Sequence, residues 1–99
     1  MRGLYDTTPM TEPEHAAPDI RRRRLLFRAT HRGTFENDLM IGGFVRANLC
    51  SLTDGDLDAL EALLETSDVD LADWLTGRRP IPQEAATPML LRIRESLVQ

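Results

Sequence analysis

Between residues 53 and 77 the chain carries two helix-start signals, each followed by apolar residues at helical spacing, and nothing else in the sequence limits the fold as much. Thr53 and Asp56 have the separation of an N-cap and its reciprocal acid. Leu57, Leu60, Leu63 and Leu64 then fall on one face of a helix. Ser67 with Asp70 repeats the start signal, and Leu71, Trp74 and Leu75 repeat the apolar face. Gly77 supplies the stop. Acids gathered in both first turns suit the positive end of a helix dipole. No run of alternating apolar residues competes as a strand.

The flanking segments fit the same architecture. Asp19 can cap a helix that runs to about His31, leaving Ile20, Leu26, Phe27 and Leu25 to bury. Gly33 interrupts that pattern and marks a break between helices. A second helix from Thr34 to near Leu49 offers Phe35, Leu39, Phe44 and Val45 as apolar contacts, with Ile41 and Leu49 also available. Gly42 and Gly43 sit in its middle, where each costs roughly 1 kcal/mol relative to alanine. Either a neighbouring helix packs very closely there or the helix bends. Pro80 and Pro82 hold a loop after Gly77. Thr87-Pro88 is the stronger start of a last helix, in which Leu90, Ile93 and Leu97 recur at i, i+3, i+7. Residues 1–18, with Pro9, Pro13 and Pro18 and no periodicity, read as a disordered tail. The expectation is an all-α, five-helix bundle over residues 19–99.

Composition removes several function classes. Cys50 is the single cysteine, so no internal disulfide exists and nothing argues for secretion. Its expected environment is half-buried and inert. No apolar run approaches a membrane span. The N-terminus lacks the apolar core of a signal peptide, and Asp6, Glu12, Glu14 and Asp19 argue against a transit peptide. The default location is the cytoplasm. All 12 basic residues are arginine, as a GC-rich bacterial genome would favour. His15 and His31 have no companions at metal-ligand spacing. Neither a phosphate-binding loop nor a dinucleotide fingerprint is present, and no catalytic group suggests itself.

The net charge of −4 conceals a segregation. Residues 20–32 carry Arg21, Arg22, Arg23, Arg24, Arg28 and Arg32 and no acid. Residues 53–73 carry Asp54, Asp56, Asp58, Glu61, Glu65, Asp68, Asp70 and Asp73 and no base. Such patches either steer a partner or attract each other. The Arg21–Arg24 run raises nucleic acid as a partner, but the acidic chain and the absence of interleaved aromatics make a solvated or protein-facing patch the better reading. Arg32 and Glu36 stand four apart at the helix break, as an exposed ion pair worth a few tenths of a kcal/mol would, roughly 0.3–0.5.

The string Arg32-Gly33-Thr34-Phe35-Glu36, followed by Asp38 and Phe44, resembles the Arg-Gly-x-x-Glu hallmark of the SdhE family, called succinate dehydrogenase assembly factor 2 in mitochondria. Leu63-Leu64-Glu65, then Asp68 and Asp70, then Leu71 and Trp74, match a second block, and the likeness covers roughly residues 20–95. The resemblance implies a five-helix bundle that is not an enzyme. It implies a client, the flavoprotein subunit of succinate dehydrogenase and perhaps that of fumarate reductase, whose covalent flavinylation with FAD it promotes. FAD is then the client's cofactor and is not held stably by this chain. By the same implication Arg32, Gly33 and Glu36 centre the partner-binding surface, with Asp38 beside them. At Asn37 and the Gly42-Gly43 pair the family is expected to vary. The competing reading is a regulatory or antitoxin-like binding module, with nucleic acid taken by the Arg21–Arg24 patch.

Overall fold

Each of the three strong start signals caps a helix. In the computed structural model, which describes residues 13–98, the Thr53 hydroxyl accepts from the Asp56 amide while the Asp56 carboxylate accepts from the Thr53 amide. That reciprocal box holds the Asp56 carboxyl below its usual range, chiefly through the Thr53 N–H, then through the Thr53 side chain and Arg92. The Ser67 and Thr87 hydroxyls accept from the Asp70 and Leu90 amides in the same way. The order is α1 (Pro13–Thr30), α2 (Phe35–Asn48), α3 (Asp54–Leu63), α4 (Asp68–Thr76) and α5 (Pro88–Leu97). Single 3-10 turns at Leu49–Ser51 and Gln83–Ala85 join them, and no described residue is in a strand. The expected all-α bundle is the observed one.

One core serves all five helices. Leu25 and Ala29 of α1 meet Ile41, Phe44 and Val45 of α2, and Leu57 and Leu60 of α3 complete one side. Leu71, Trp74 and Leu75 of α4 and Met89, Leu90 and Ile93 of α5 close the other. Each large side chain so buried contributes about 1.5–3 kcal/mol before conformational entropy is subtracted. Leu60, Leu63, Leu64, Leu71 and Trp74 are buried as their spacing predicts.

Several sequence expectations need correction. Residues 1–12 of the expected tail lie outside the described residues, but residues 13–18 continue α1. Asp19 therefore sits inside the helix and caps nothing. Pro13 suits a first helical position, and the two alanines after His15 favour continuation. Ile20 and Phe27 are exposed, because α1 turns Leu25 and Ala29 inward instead. Phe35 and Leu39 are exposed for the equivalent reason, with Ile41 and Val45 taking the inner face of α2. On α5 the third inward residue is Met89 and Leu97 lies outside. Cys50 is exposed, on the 3-10 turn after α2.

The glycine pair resolves into two different residues. A Cβ on Gly42 would lie 2.6 Å from Thr30 Cγ2 and 3.3 Å from the Ala29 carbonyl, so α1 crosses α2 at that point with no room for a side chain. A Cβ on Gly43 meets nothing within 4 Å. Close packing, not a bend, accounts for Gly42.

The basic and acidic segments are turned toward each other. Arg21 reaches Asp58 at 2.6 Å and Glu61 at 3.0 Å, and Arg28 reaches Glu65 at 2.7 Å. Arg22 donates to the Leu49 and Leu52 carbonyls and pins the chain leaving α2.

Candidate functional site

Residues 31–34 connect α1 to α2, and Gly33 makes the connection possible with φ of 100°. That left-handed conformation is strained for a residue with a Cβ. The turn lies against the chain joining α3 to α4. Arg32 spans the two. Its Nη1 donates to the Leu64 carbonyl at 2.9 Å, its Nη2 to the Thr66 carbonyl at 2.7 Å, and its Nε to Asp68 Oδ1. The guanidinium thus satisfies carbonyls left open where α3 ends, and the fork geometry lets one residue hold three acceptors.

The first turn of α2 strengthens the junction from the other side. The Thr34 hydroxyl makes no cap bond. Instead Asp38 Oδ1 accepts from the Arg32 backbone N–H at 2.7 Å. Asn37, fully buried, donates to the Asp68 carbonyl at 2.9 Å and to Asp68 Oδ1 at 3.1 Å. Asp68 is therefore shared by Arg32 and Asn37.

Arg32 and Glu36 do not form the ion pair that their spacing predicts. The Arg32 side chain is only 10% exposed and belongs to Asp68. Glu36 points outward and meets Arg78 at 3.3 Å. Gly33 is the physical reason: its left-handed backbone takes Arg32 off the helical path on which residues four apart are neighbours. Of the four expected site residues, Glu36 and Gly33 are exposed, while Arg32 and Asp38 have their polar groups turned into the junction.

Around Glu36 the surface is shallow and mixed. A cavity of 210 Å³ lies between the starts of α2 and α4, lined by Thr34, Glu36, Val69, Ala72, Asp73 and Arg78. Arg78 and Arg79 both donate to Asp73, which they hold below the usual carboxylate range. Apolar residues stand out beside it: Phe35 is 79% exposed and Val69 is 70% exposed. Leu39 continues the Phe35 stripe one turn along α2. Phe27 stacks on His31 at 3.9 Å, just before the turn. Exposed apolar residues beside polar groups are a composition that protein-contact surfaces share.

Residues 23–97 match the family model described as Sdh5, flavinator of succinate dehydrogenase. The chain belongs to this flavinator family. It is similar to the FAD assembly factor SdhE of Acetobacter pasteurianus, 59% identical over 75 residues, covering 76% of this chain and 69% of the relative. It is also 35% identical over 69 residues to the mitochondrial succinate dehydrogenase assembly factor 2 of Dictyostelium discoideum, and 37% identical over 76 residues to that of Mycosarcoma maydis. These matches cover 70% and 75% of this chain but only 49% and 32% of the two relatives, so the chain spans about half or less of their length.

The flavinator match takes in the whole junction, α2 through α5 and most of the arginines of α1. Sequence reasoning found the Arg-Gly turn but missed Asn37 and Arg78 as its companions. Asp68 was visible as a member of the second sequence block, without any sign of which residue it holds. The signal available was its place directly after the Ser67 cap, at a helix start that must meet some other element. No described helix is long and apolar enough to cross a membrane.

Proposed function

We propose that this chain is a non-catalytic assembly factor that binds the flavoprotein subunit of succinate dehydrogenase and promotes covalent attachment of FAD to it. The observation that carries the reading is the flavinator match across residues 23–97, the stretch that builds the Arg32 junction and the surface beside it. In this reading Glu36 and the exposed Phe35, Leu39 and Val69 meet the client. Gly33 keeps the turn open to a partner's backbone, with no Cβ in the way. Arg32 and Asp38 support that surface from within.

A helper of this kind works by binding one arrangement of its client more tightly than the others. Each tenfold rise in the reactive population needs about 1.4 kcal/mol of differential binding. FAD remains the client's cofactor, and this chain holds none stably. The location is the cytoplasm of a bacterium, in keeping with the lone cysteine and the lysine-free composition. The nucleic-acid reading loses ground because Arg21 and Arg22 are engaged within the chain itself.

The test is complementation. Cells lacking their own helper receive this chain, and covalent flavin on the succinate dehydrogenase flavoprotein is read by in-gel fluorescence. Restored fluorescence together with co-purification of the flavoprotein is expected. Absence of both, with the chain folded and abundant, overturns the reading.

A further inference from the structure

We infer that Asn37 and Asp68 are positioning residues of the client-facing surface, setting the first turns of α2 and α4 against each other so that Glu36 and Val69 are presented together. The inference rests on the flavinator reading for the identity of the client.

Three observations carry it. Glu36 and Val69 come from different helices and line one cavity, so the shape offered to a partner depends on how α2 and α4 are docked. The direct polar link between those two first turns is Asn37 to Asp68, and Arg32 ties the preceding turn to the same carboxylate. Asn37 is also only partly satisfied: its Nδ2 donates twice to Asp68. It is the one buried polar residue among the described residues, and its Oδ1 has no hydrogen-bond partner. A buried acceptor left unpaired costs free energy that an apolar residue of similar shape would not. Leucine at that position would remove the unpaired Oδ1 but strand the Asp68 carbonyl that Nδ2 now holds, two terms that offset each other in the fold. What the amide supplies is the alignment of the two first turns, not a net gain in stability.

Positioning and simple structural support differ in what they move: the first moves binding, the second the melting temperature. Asn37→Leu should leave the melting temperature nearly unchanged. It should also weaken binding to purified succinate dehydrogenase flavoprotein subunit about tenfold, a step of about 1.4 kcal/mol. Asp68→Asn keeps an acceptor for Arg32 Nε and should bind within about threefold of the unaltered chain, the conservative rescue. Asp68→Ala should weaken binding by at least as much as Asn37→Leu. Glu65→Ala, which removes an exposed carboxylate paired with α1, serves as control.

Binding is read by titration well below every variant's melting temperature. Amide resonances of Gly33, Thr34 and Glu36 are followed in two-dimensional spectra. The expected result is a shift of those amides in Asn37→Leu and Asp68→Ala, absent in Glu65→Ala. Unmoved amides in a folded Asn37→Leu, or unchanged affinity despite moved ones, overturn the inference. A lower melting temperature with unchanged affinity does the same, since it makes Asn37 merely structural. If the unaltered chain fails to bind the flavoprotein, the functional reading falls, and the amide shifts alone judge whether the two residues set the turn.

Discussion

Arg21, Arg28 and Arg32 follow one stripe of the sequence and all meet acids 36 to 40 residues away, yet they do different work. The first two stand at the surface: Arg21 and Asp58 are 33% and 74% exposed, Arg28 and Glu65 38% and 72%. Arg32 and Asp68 are 10% and 29% exposed. The outer pairs end on carboxylates in water, which would hydrate them equally well if the pairs opened. Arg32 ends on two backbone carbonyls and a carboxylate, and it is their main source of hydrogen-bond donors. Identical side chains in one register therefore form a weak ladder along α1 and α3 and a strong tie at their ends. Burial and the number of orphaned acceptors make the difference, not charge.

The largest test of that contrast is Arg32→Ala. It leaves the Leu64 and Thr66 carbonyls without their donor and the Asp68 carboxylate with Asn37 alone. The expected loss is about 3 kcal/mol, below the extreme for a fully buried pair because Asp68 is partly solvated. For a domain this size that corresponds to a fall in melting temperature of more than about 10 °C. Arg32→Lys should recover only part of it, because an ammonium cannot span three acceptors in a plane. A loss near 1 kcal/mol or less, roughly that of an exposed pair, would put Arg32 in the same class as the ladder.

Gly42→Ala comes next, and it sharpens the comparison by moving α1 as a body. Its new methyl would press on Thr30 Cγ2 and the Ala29 carbonyl, two and three residues before Arg32. Overpacking of that kind costs about 1–3 kcal/mol. Gly43→Ala meets open space and should stabilise the helix by about 0.5–1 kcal/mol. Opposite signs in thermal melts of adjacent variants are the expected result. Two shifts of the same sign would mean that α1 is not seated on Gly42.

These glycines also mark where the sequence stopped being legible. Caps and leucine periodicity are local features, and they placed α3, α4 and the start of α5 because the governing hydrogen bonds lie within four residues. Gly42 and Gly43 look alike in sequence, and the approach of Thr30 that separates them is tertiary. Likewise Arg32 and Glu36 have the spacing of a helical pair, and only the positive φ of Gly33 sends them to Asp68 and Arg78. Phe27, Phe35 and Leu39 were expected inside because apolar character was the only cue. They are exposed because α1 and α2 turn Leu25, Ala29, Ile41 and Val45 inward instead, a choice that apolar character alone does not reveal.

Within the ladder, Arg21→Ala and Arg28→Ala should each cost far less than Arg32→Ala, and the cost should shrink at high salt. Chemical denaturation at two ionic strengths checks this. A salt-insensitive loss as large as that of Arg32→Ala would end the distinction between ladder and tie.

The acid limb of stability offers a finer test beside Glu36. Hydrogen bonds from Arg78, then Arg79, hold the Asp73 carboxyl below its ordinary value. Its folded pKa lies under its unfolded one, so its contribution is complete above the unfolded value near 3.8. It is lost as the pH falls through the folded value. Asp73→Asn should therefore flatten the dependence of melting temperature on pH below about 4 and leave the neutral region nearly parallel.

Glu36→Ala should have the smallest effect on the fold and a large one on the client. Its carboxylate is 48% exposed and its partner Arg78 56% exposed, at 3.3 Å. An ion pair this solvated contributes at most about 0.5 kcal/mol. Arg78 keeps Asp73 when Glu36 is gone, so no charge is stranded. The melting temperature should stay within about 3 °C of the unaltered chain. Pressed against a partner, the same carboxylate leaves water and becomes part of a desolvated contact, where truncation costs about 2 kcal/mol or more. Covalent flavin on the client should fall by at least about tenfold at limiting helper and recover as helper is raised, the signature of lost affinity. Arg32→Ala should fail differently, losing stability and client binding together. Full flavinylation by Glu36→Ala at limiting helper would remove Glu36 from the contact surface and leave Phe35, Leu39 and Val69 to carry it.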